Sequence, residues 1–144
     1  PLAAVRTWEY LVFQPDPDFS NIAIVDDDES VRVALRSLLR SYGYSAHAYD
    51  SAGALLANEA LGGYHCVITD LQMPGMSGIE LLEQLRRQGN ALPLILMTAF
   101  PEAALRKRAL SGGASCFLSK PFEANALLRC LRQASGAEPT PPLE

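Results

Sequence analysis

The chain has 144 residues, 49% of them apolar and 19% charged, with a net charge of −4. That length fits one domain with room for a real core. The mild acidity, without a basic stripe interleaved with aromatics, leaves no electrostatic footprint for nucleic acid. No apolar stretch approaches a membrane span, and the start lacks the pattern of a signal peptide, so a cytoplasmic protein is expected. The three cysteines, Cys66, Cys116 and Cys130, are odd in number and form no C-x-x-C. They indicate neither a disulfide framework nor a zinc knuckle, and the expectation is three small buried hydrophobes in a reducing compartment.

Residues 1–20 stand apart. Trp8, Tyr10, Leu11, Val12 and Phe13 form an apolar cluster, and Pro15-Asp16-Pro17-Asp18 is read as a break in regular structure. This segment is an N-terminal extension that docks on the domain or a partner, or a tail added for expression. From Asn21 the pattern alternates strand and helix five times. A strand Ile22–Asp26 precedes a helix near Ser30–Tyr42, whose Val31, Leu35, Leu38, Leu39 and Tyr42 follow helical spacing and which stops at Gly43. A weaker strand Tyr44–Tyr49 leads to a helix Ala52–Leu61, N-capped by Ser51 and ended by Gly62-Gly63. The remaining units are a strand His65–Asp70 with a helix Ile79–Arg87, a strand Pro93–Thr98 with a helix Glu102–Leu110, and a strand Ser115–Lys120 with a helix Glu123–Ala134. Residues 136–144 are Pro-rich and read as a linker, with Leu143-Glu144 as a cloning scar and an output domain truncated beyond them. Repeated βα units mean a parallel sheet with helices on both faces, so residues 21–135 are expected to form one doubly wound α/β domain.

Four of the apolar runs end on chemically capable residues. Ile22–Val25 runs into Asp26-Asp27, Cys66–Thr69 into Asp70, Leu94–Met97 into Thr98, and Cys116–Ser119 into Lys120. Ligands bind outside the carboxyl ends of strands in an open parallel sheet, so three acids, a hydroxyl and an amine should converge. Two carboxylates about 4 Å apart repel by roughly 4 kcal/mol at an effective dielectric of 20, which protons or a cation must relieve. Carboxylates with carbonyls and retained waters are what magnesium prefers. A carboxylate is a competent nucleophile toward phosphorus, and phosphoryl transfer needs mainly positioning and charge neutralisation. Asp28 and Glu29 fit a helix start. Arg106-Lys107-Arg108 fits a solvated helix face. His47 and His65 have no metal-ligand partner at useful spacing, and Met73, Met76 and Met97 fit packing. The glycines match no nucleotide-binding pattern.

The segments IVDDDESVR, VITDLQMPGMSGIELL, LILMTA and FLSKPF, in that order over about residues 21–134, resemble the receiver domain of bacterial two-component response regulators. The texture is similar to receivers of transcriptional regulators of the nitrogen-fixation type. The resemblance implies a flavodoxin-like five-stranded sheet of order 2-1-3-4-5, with two helices on one face and three on the other. It implies Asp70 as phosphoacceptor, and Mg2+ held by Asp27, Asp70 and the backbone carbonyl of Gln72, with Asp26 acting through water. It implies Lys120 and Thr98 on the phosphoryl group, Phe117 with Thr98 as switch residues, and a cis Lys120–Pro121 bond. A sensor histidine kinase is the implied donor and the last two helices with the fifth strand an implied homodimer face, while DNA is reached only through the output domain. Such a domain is no enzyme beyond its own phosphorylation and slow dephosphorylation. Two departures stand out: Ser77 where Asp is usual, and Phe100-Pro101 after Thr98-Ala99.

Other readings compete. A stand-alone relay has the same receiver chemistry. A haloacid-dehalogenase-type phosphatase would start at Asp26-Asp27-Asp28, but leaves Asp70 without a role. A pseudo-receiver would not need the intact acid, hydroxyl and amine set, and an FMN carrier of this fold class would not place acids where its phosphate sits.

Overall fold

A computed structural model describes residues 15–136. Five strands, β1 (Asn21–Val25), β2 (Ser45–Tyr49), β3 (Cys66–Asp70), β4 (Leu94–Thr98) and β5 (Cys116–Ser119), alternate with five helices. The helices are α1 (Glu29–Ser41), α2 (Ala52–Leu56), α3 (Gly78–Arg87), α4 (Ala103–Ser111) and α5 (Ala124–Ser135). All neighbouring strands pair in parallel, in the order β2-β1-β3-β4-β5. This is the doubly wound architecture the sequence predicts.

Strand alternation divides the core into two. Ala23, Val25, Val67, Leu94 and Leu96 pack with Leu55, Ile79, Leu82 and Leu85, on the side of α2, α3 and α4. Ile22, Ile24, Ile68, Ile95 and Met97 pack with Leu35, Leu39, Leu127 and Leu131, on the side of α1 and α5. The inner strands read as unbroken apolar runs because both of their faces are covered. Helix starts follow local chemistry. Asp28 Oδ1 accepts the N–H and the hydroxyl of Ser30 at 2.9 and 2.7 Å, and Ser51 Oγ accepts the N–H of Ala54. Ser77 and Glu80 exchange hydrogen bonds in a capping box at the start of α3.

Three expectations are corrected. The helix expected over 52–61 ends at Leu56, and Glu59–Gly63 is a 3-10 turn instead. Asn58 takes the N–H of Ala60 on its side-chain oxygen at 2.7 Å, which offers the backbone an alternative to the helix. Pro15–Asp18 does not simply break the chain. Asp16 accepts the N–H of Asp18 and caps a 3-10 turn at Pro17–Phe19, and Phe19 packs against the α1–α5 side of the core. His65 Nδ1 accepts the N–H groups of Ser20 and Asn21 at 3.0 and 3.1 Å, a structural role that fixes the entry to β1. The third correction concerns the cysteines. Cys66 is free and buried, but Cys116 and Cys130 are joined in a disulfide with Cα atoms 5.5 Å apart. Cys116 lies on the α5 side of β5, and α5 turns Cys130 toward the same cluster. The apolar cluster at 8–13 and the Pro-rich tail after Gly136 lie outside the described residues.

Candidate functional site

The sheet order reverses direction between β1 and β3, and ligand crevices form at such a switch point. Asp26 and Asp27 leave the end of β1, and Asp70 is the last residue of β3. Thr98 ends β4, and Lys120 follows β5. Ladder-like backbone bonds carry the pairing past the strand ends: Asp26 N–H to Tyr49 O at 3.1 Å, Leu71 N–H to Met97 O at 2.8 Å, and Lys120 N–H to Thr98 O at 2.7 Å. The strand ends are thereby held level, and their side chains meet.

Lys120 Nζ bridges two acids, at 2.9 Å from Asp26 Oδ2 and 3.1 Å from Asp70 Oδ1. The Lys120–Pro121 bond is cis, as expected. Burial works against the Lys120 ammonium, but its hydrogen bonds to Asp26 and Asp70 outweigh that and hold its pKa above the usual lysine value. Asp26 is the fixed member of the set. Its Oδ1 accepts the N–H of Asp28 at 2.9 Å, its Oδ2 takes Lys120, and its carbonyl accepts from Arg32 Nη1 at 2.8 Å. Only 1% of its side chain is exposed, against 11% for Asp70. Of the two acids that Lys120 bridges, Asp70 is therefore the one an incoming group can reach. Asp26, the nucleophile of a dehalogenase-type reading, has both oxygens occupied.

Burial pushes the Asp70 carboxyl above the ordinary carboxylate range. The Lys120 hydrogen bond and charge pull it back, and Asp26 and Asp27 push it further up. Asp27 is exposed at the rim. Asp26, Asp27 and Asp70 each present an oxygen, all within 4.8 Å of one another. Such a set of hard oxygen donors beside an open rim can hold a metal ion. Thr98 is buried, and its hydroxyl oxygen accepts the N–H of Phe100 at 3.0 Å, which orients it and leaves its proton to donate.

Gln72 is exposed in the loop between β3 and α3. Phe117 is half-buried against the α2–α4 side of the core, and Phe100 is 61% exposed. Met97 is buried, and Met73 and Met76 pack on the core. His47 is exposed, with its ring 6.0 Å from that of Tyr64. Arg106, Lys107 and Arg108 are exposed, and Arg108 pairs with Glu83 at 3.1 Å.

Two contributors escaped sequence reasoning. Arg32, one turn into α1, ties the Asp26 carbonyl down. Gly78 lets α3 start directly beneath β3. A Cβ there would lie 2.6 Å from Leu96 Cδ2 and closer still to the Asp70 carbonyl oxygen, and the Gly78 N–H already donates to Leu71 O at 2.9 Å. The only signal for Gly78 was its place at the end of the Pro-Gly-Met-Ser-Gly turn.

Fold and site together define a doubly wound α/β domain with an acid triad and a lysine at its switch point. The response regulator receiver domain model matches residues 22–132, and the chain belongs to that family. It is 36% identical to the transcriptional regulatory protein FixJ of Azorhizobium caulinodans over 120 residues, covering 83% of this chain and 57% of that protein. The structure of the response regulator StyR aligns with a TM-score of 0.75 and 40% identity, over 83% of this chain and 60% of that one. The crystal structure of FixJ-N aligns with a TM-score of 0.74 and 33% identity, over 83% of this chain and 95% of that one. The chain spans little more than half the length of the FixJ protein it matches. Among the described residues no helix is long and apolar enough to cross a membrane.

Proposed function

We propose that Asp70 accepts a phosphoryl group from a sensor histidine kinase, and that the domain so switched controls transcription through a longer chain in the cytoplasm. The observation that carries this reading is Lys120 bridging Asp26 and Asp70 beside a third acid, Asp27. Of the two acids that Lys120 bridges, Asp70 is the reachable one, and with Lys120 on its Oδ1 the attacking oxygen of this reading is Oδ2. That oxygen attacks phosphorus, and the Asp70–phosphate acyl bond forms as the donor's bond to phosphorus breaks. Lys120 and the Thr98 hydroxyl then stabilise negative charge on the phosphoryl oxygens. Asp26, locked by Asp28, Lys120 and Arg32, keeps the lysine aimed.

The donor set fits Mg2+: Asp27 and Asp70 directly, Asp26 through water, and the Gln72 carbonyl as a further oxygen. When bound, the ion supplies positive charge that neutralises the acids and the phosphoryl oxygens. Phe117 and Thr98 are the switch pair of this reading, and the α4–β5–α5 face is its homodimer surface. The domain is otherwise no enzyme.

The test is phosphoryl uptake from acetyl phosphate with Mg2+, followed by intact mass. Uptake by the parent chain and by Asp26→Asn at a reduced rate, with none by Asp70→Asn, is expected. Persistent stoichiometric uptake by Asp70→Asn overturns the assignment.

A further inference from the structure

A groove between α4 and α5 is lined by both cysteines of the disulfide, with Phe117, Arg106 and Arg129. Its volume is about 290 Å³, enough to admit small reagents to the sulfurs. Cys116 is half-buried, whereas Cys130 is 3% exposed. Their Cα separation of 5.5 Å lies in the range that closes a disulfide without backbone movement. Two guanidinium groups, those of Arg106 and Arg129, line the same groove. In a reducing compartment, disulfides are transient and redox-sensing rather than permanent staples.

The position of the pair gives it consequences. Among the described residues β5 is an edge strand, hydrogen-bonded to β4 alone. Along it, Cys116 and Leu118 face α5, Phe117 faces the opposite core, and Lys120 follows its last residue, Ser119. A bond from Cys116 to α5 therefore fixes the strand that carries Phe117 and leads directly into the lysine of the acid site.

We propose that Cys116 and Cys130 are a reversible thiol–disulfide modification site. Peroxide closes it, dithiols reopen it, and closure pins β5 to α5 and damps the response of this face to events at Asp70. The damping rests on the phosphoacceptor reading above; the modification itself does not. The Cys116 thiolate attacks one oxygen of hydrogen peroxide, the O–O bond breaks, and hydroxide leaves, taking up a proton to become water. Cys116 is then a sulfenic acid. The Cys130 sulfur attacks the Cys116 sulfur, the S–O bond breaks, and a second water leaves. Two thiols and one peroxide give one disulfide and two waters, so the sulfurs lose two electrons and the peroxide gains them. A dithiol reverses the step by exchange and becomes the oxidised partner.

The experiment uses the whole 144-residue chain, fully reduced and then treated or not with hydrogen peroxide. Peptide mapping should show the Cys116 and Cys130 peptides linked after peroxide and separate after dithiothreitol. Neither Cys116→Ser nor Cys130→Ser should form an intramolecular link, and the closed form should melt about 10 °C higher, as the small loop closed implies. Acetyl phosphate should change hydrogen exchange over residues 103–135 about threefold less in the oxidised chain than in the reduced one. In Cys130→Ser, peroxide should not alter that change. Absence of the linked peptides, or an equal exchange response in both redox forms, overturns the proposal. Phosphoryl mass is read on the same samples. Its absence even from the reduced chain overturns the Asp70 reading and the damping together, while the peptide map still decides the thiol pair.

Discussion

Replacing Lys120 by methionine isolates the electrostatics of the site. Nζ lies 2.9 Å from Asp26 and 3.1 Å from Asp70. Each attraction is about 5 kcal/mol gross at an effective dielectric of about 20, before the desolvation that offsets most of it. Without the ammonium, two largely buried carboxylates confront each other. Breaking a buried pair on one side costs about 3–5 kcal/mol. The Lys120 side chain keeps 21% of its surface in water, so screening reduces the expected loss to about 2–4 kcal/mol. In a domain of this size that lowers Tm by about 8–15 °C.

The sign with pH is fixed by Asp70. Its carboxyl is already raised, first by burial and then by the neighbouring acids, against the pull of Lys120. A raised carboxyl contributes stability that is present at acid pH and lost as pH rises through its folded value. Lys120→Met raises that value further, so its cost should be smaller near about pH 5 than near about pH 8. Magnesium should replace the missing charge. Urea unfolding of parent and variant, in chelator and in about 10 mM Mg2+, reads all of this at once. Expected are a large deficit in chelator and a gain from Mg2+ greater than the parent's. Equal stabilities in chelator, or no extra gain from the metal, would refute the bridging role of Lys120.

Three other perturbations test separate parts. Gly78→Ala forces a Cβ against the Asp70 carbonyl and Leu96, so a loss of about 2–4 kcal/mol is expected by urea unfolding; parent-like stability would show that α3 can shift freely. Asp27→Ala removes an exposed acid, and should weaken Mg2+ binding about tenfold or more while metal-free stability holds or rises, as read by tyrosine fluorescence titration. An unchanged titration removes Asp27 from the site. Phe100, 61% exposed two residues after Thr98, cannot hydrogen-bond a water approaching an acyl phosphate at Asp70; Phe100→Glu should speed self-dephosphorylation, and an unchanged decay rate would place the lifetime's control elsewhere.

Much of the site was legible because its residues sit directly at the ends of apolar runs. Short unbroken apolar runs between helical patterns locate β1, β3, β4 and β5, and a parallel sheet then brings their carboxyl ends together. What the sequence hid depends on angles rather than on spacing. Cys116 and Cys130 are 14 residues apart, a separation that belongs to no cysteine motif. Only the pleat of β5 and the rotation of α5 about its axis aim them at each other. Asn58 outcompeted the helix expected through Leu61, because a local side-chain bond to Ala60 N–H decided the turn before Gly62-Gly63 was reached. Nothing in the helical spacing of α1 singles out Arg32. Its bond to the Asp26 carbonyl becomes visible only once the β1–α1 turn is folded. Pro15–Asp18 carried a break signal, yet Phe19 behind it had an apolar surface to cover.

The central claim is that Asp70 alone carries the phosphoryl group. The most direct measurement treats the chain with acetyl phosphate and Mg2+, reduces the acyl phosphate with borohydride, and sequences the peptides by tandem mass spectrometry. Borohydride converts a phosphorylated aspartate into homoserine. Homoserine at position 70, with Asp26 and Asp27 unchanged, is the predicted result; homoserine at position 26 or 27, or at none of the three, would contradict it.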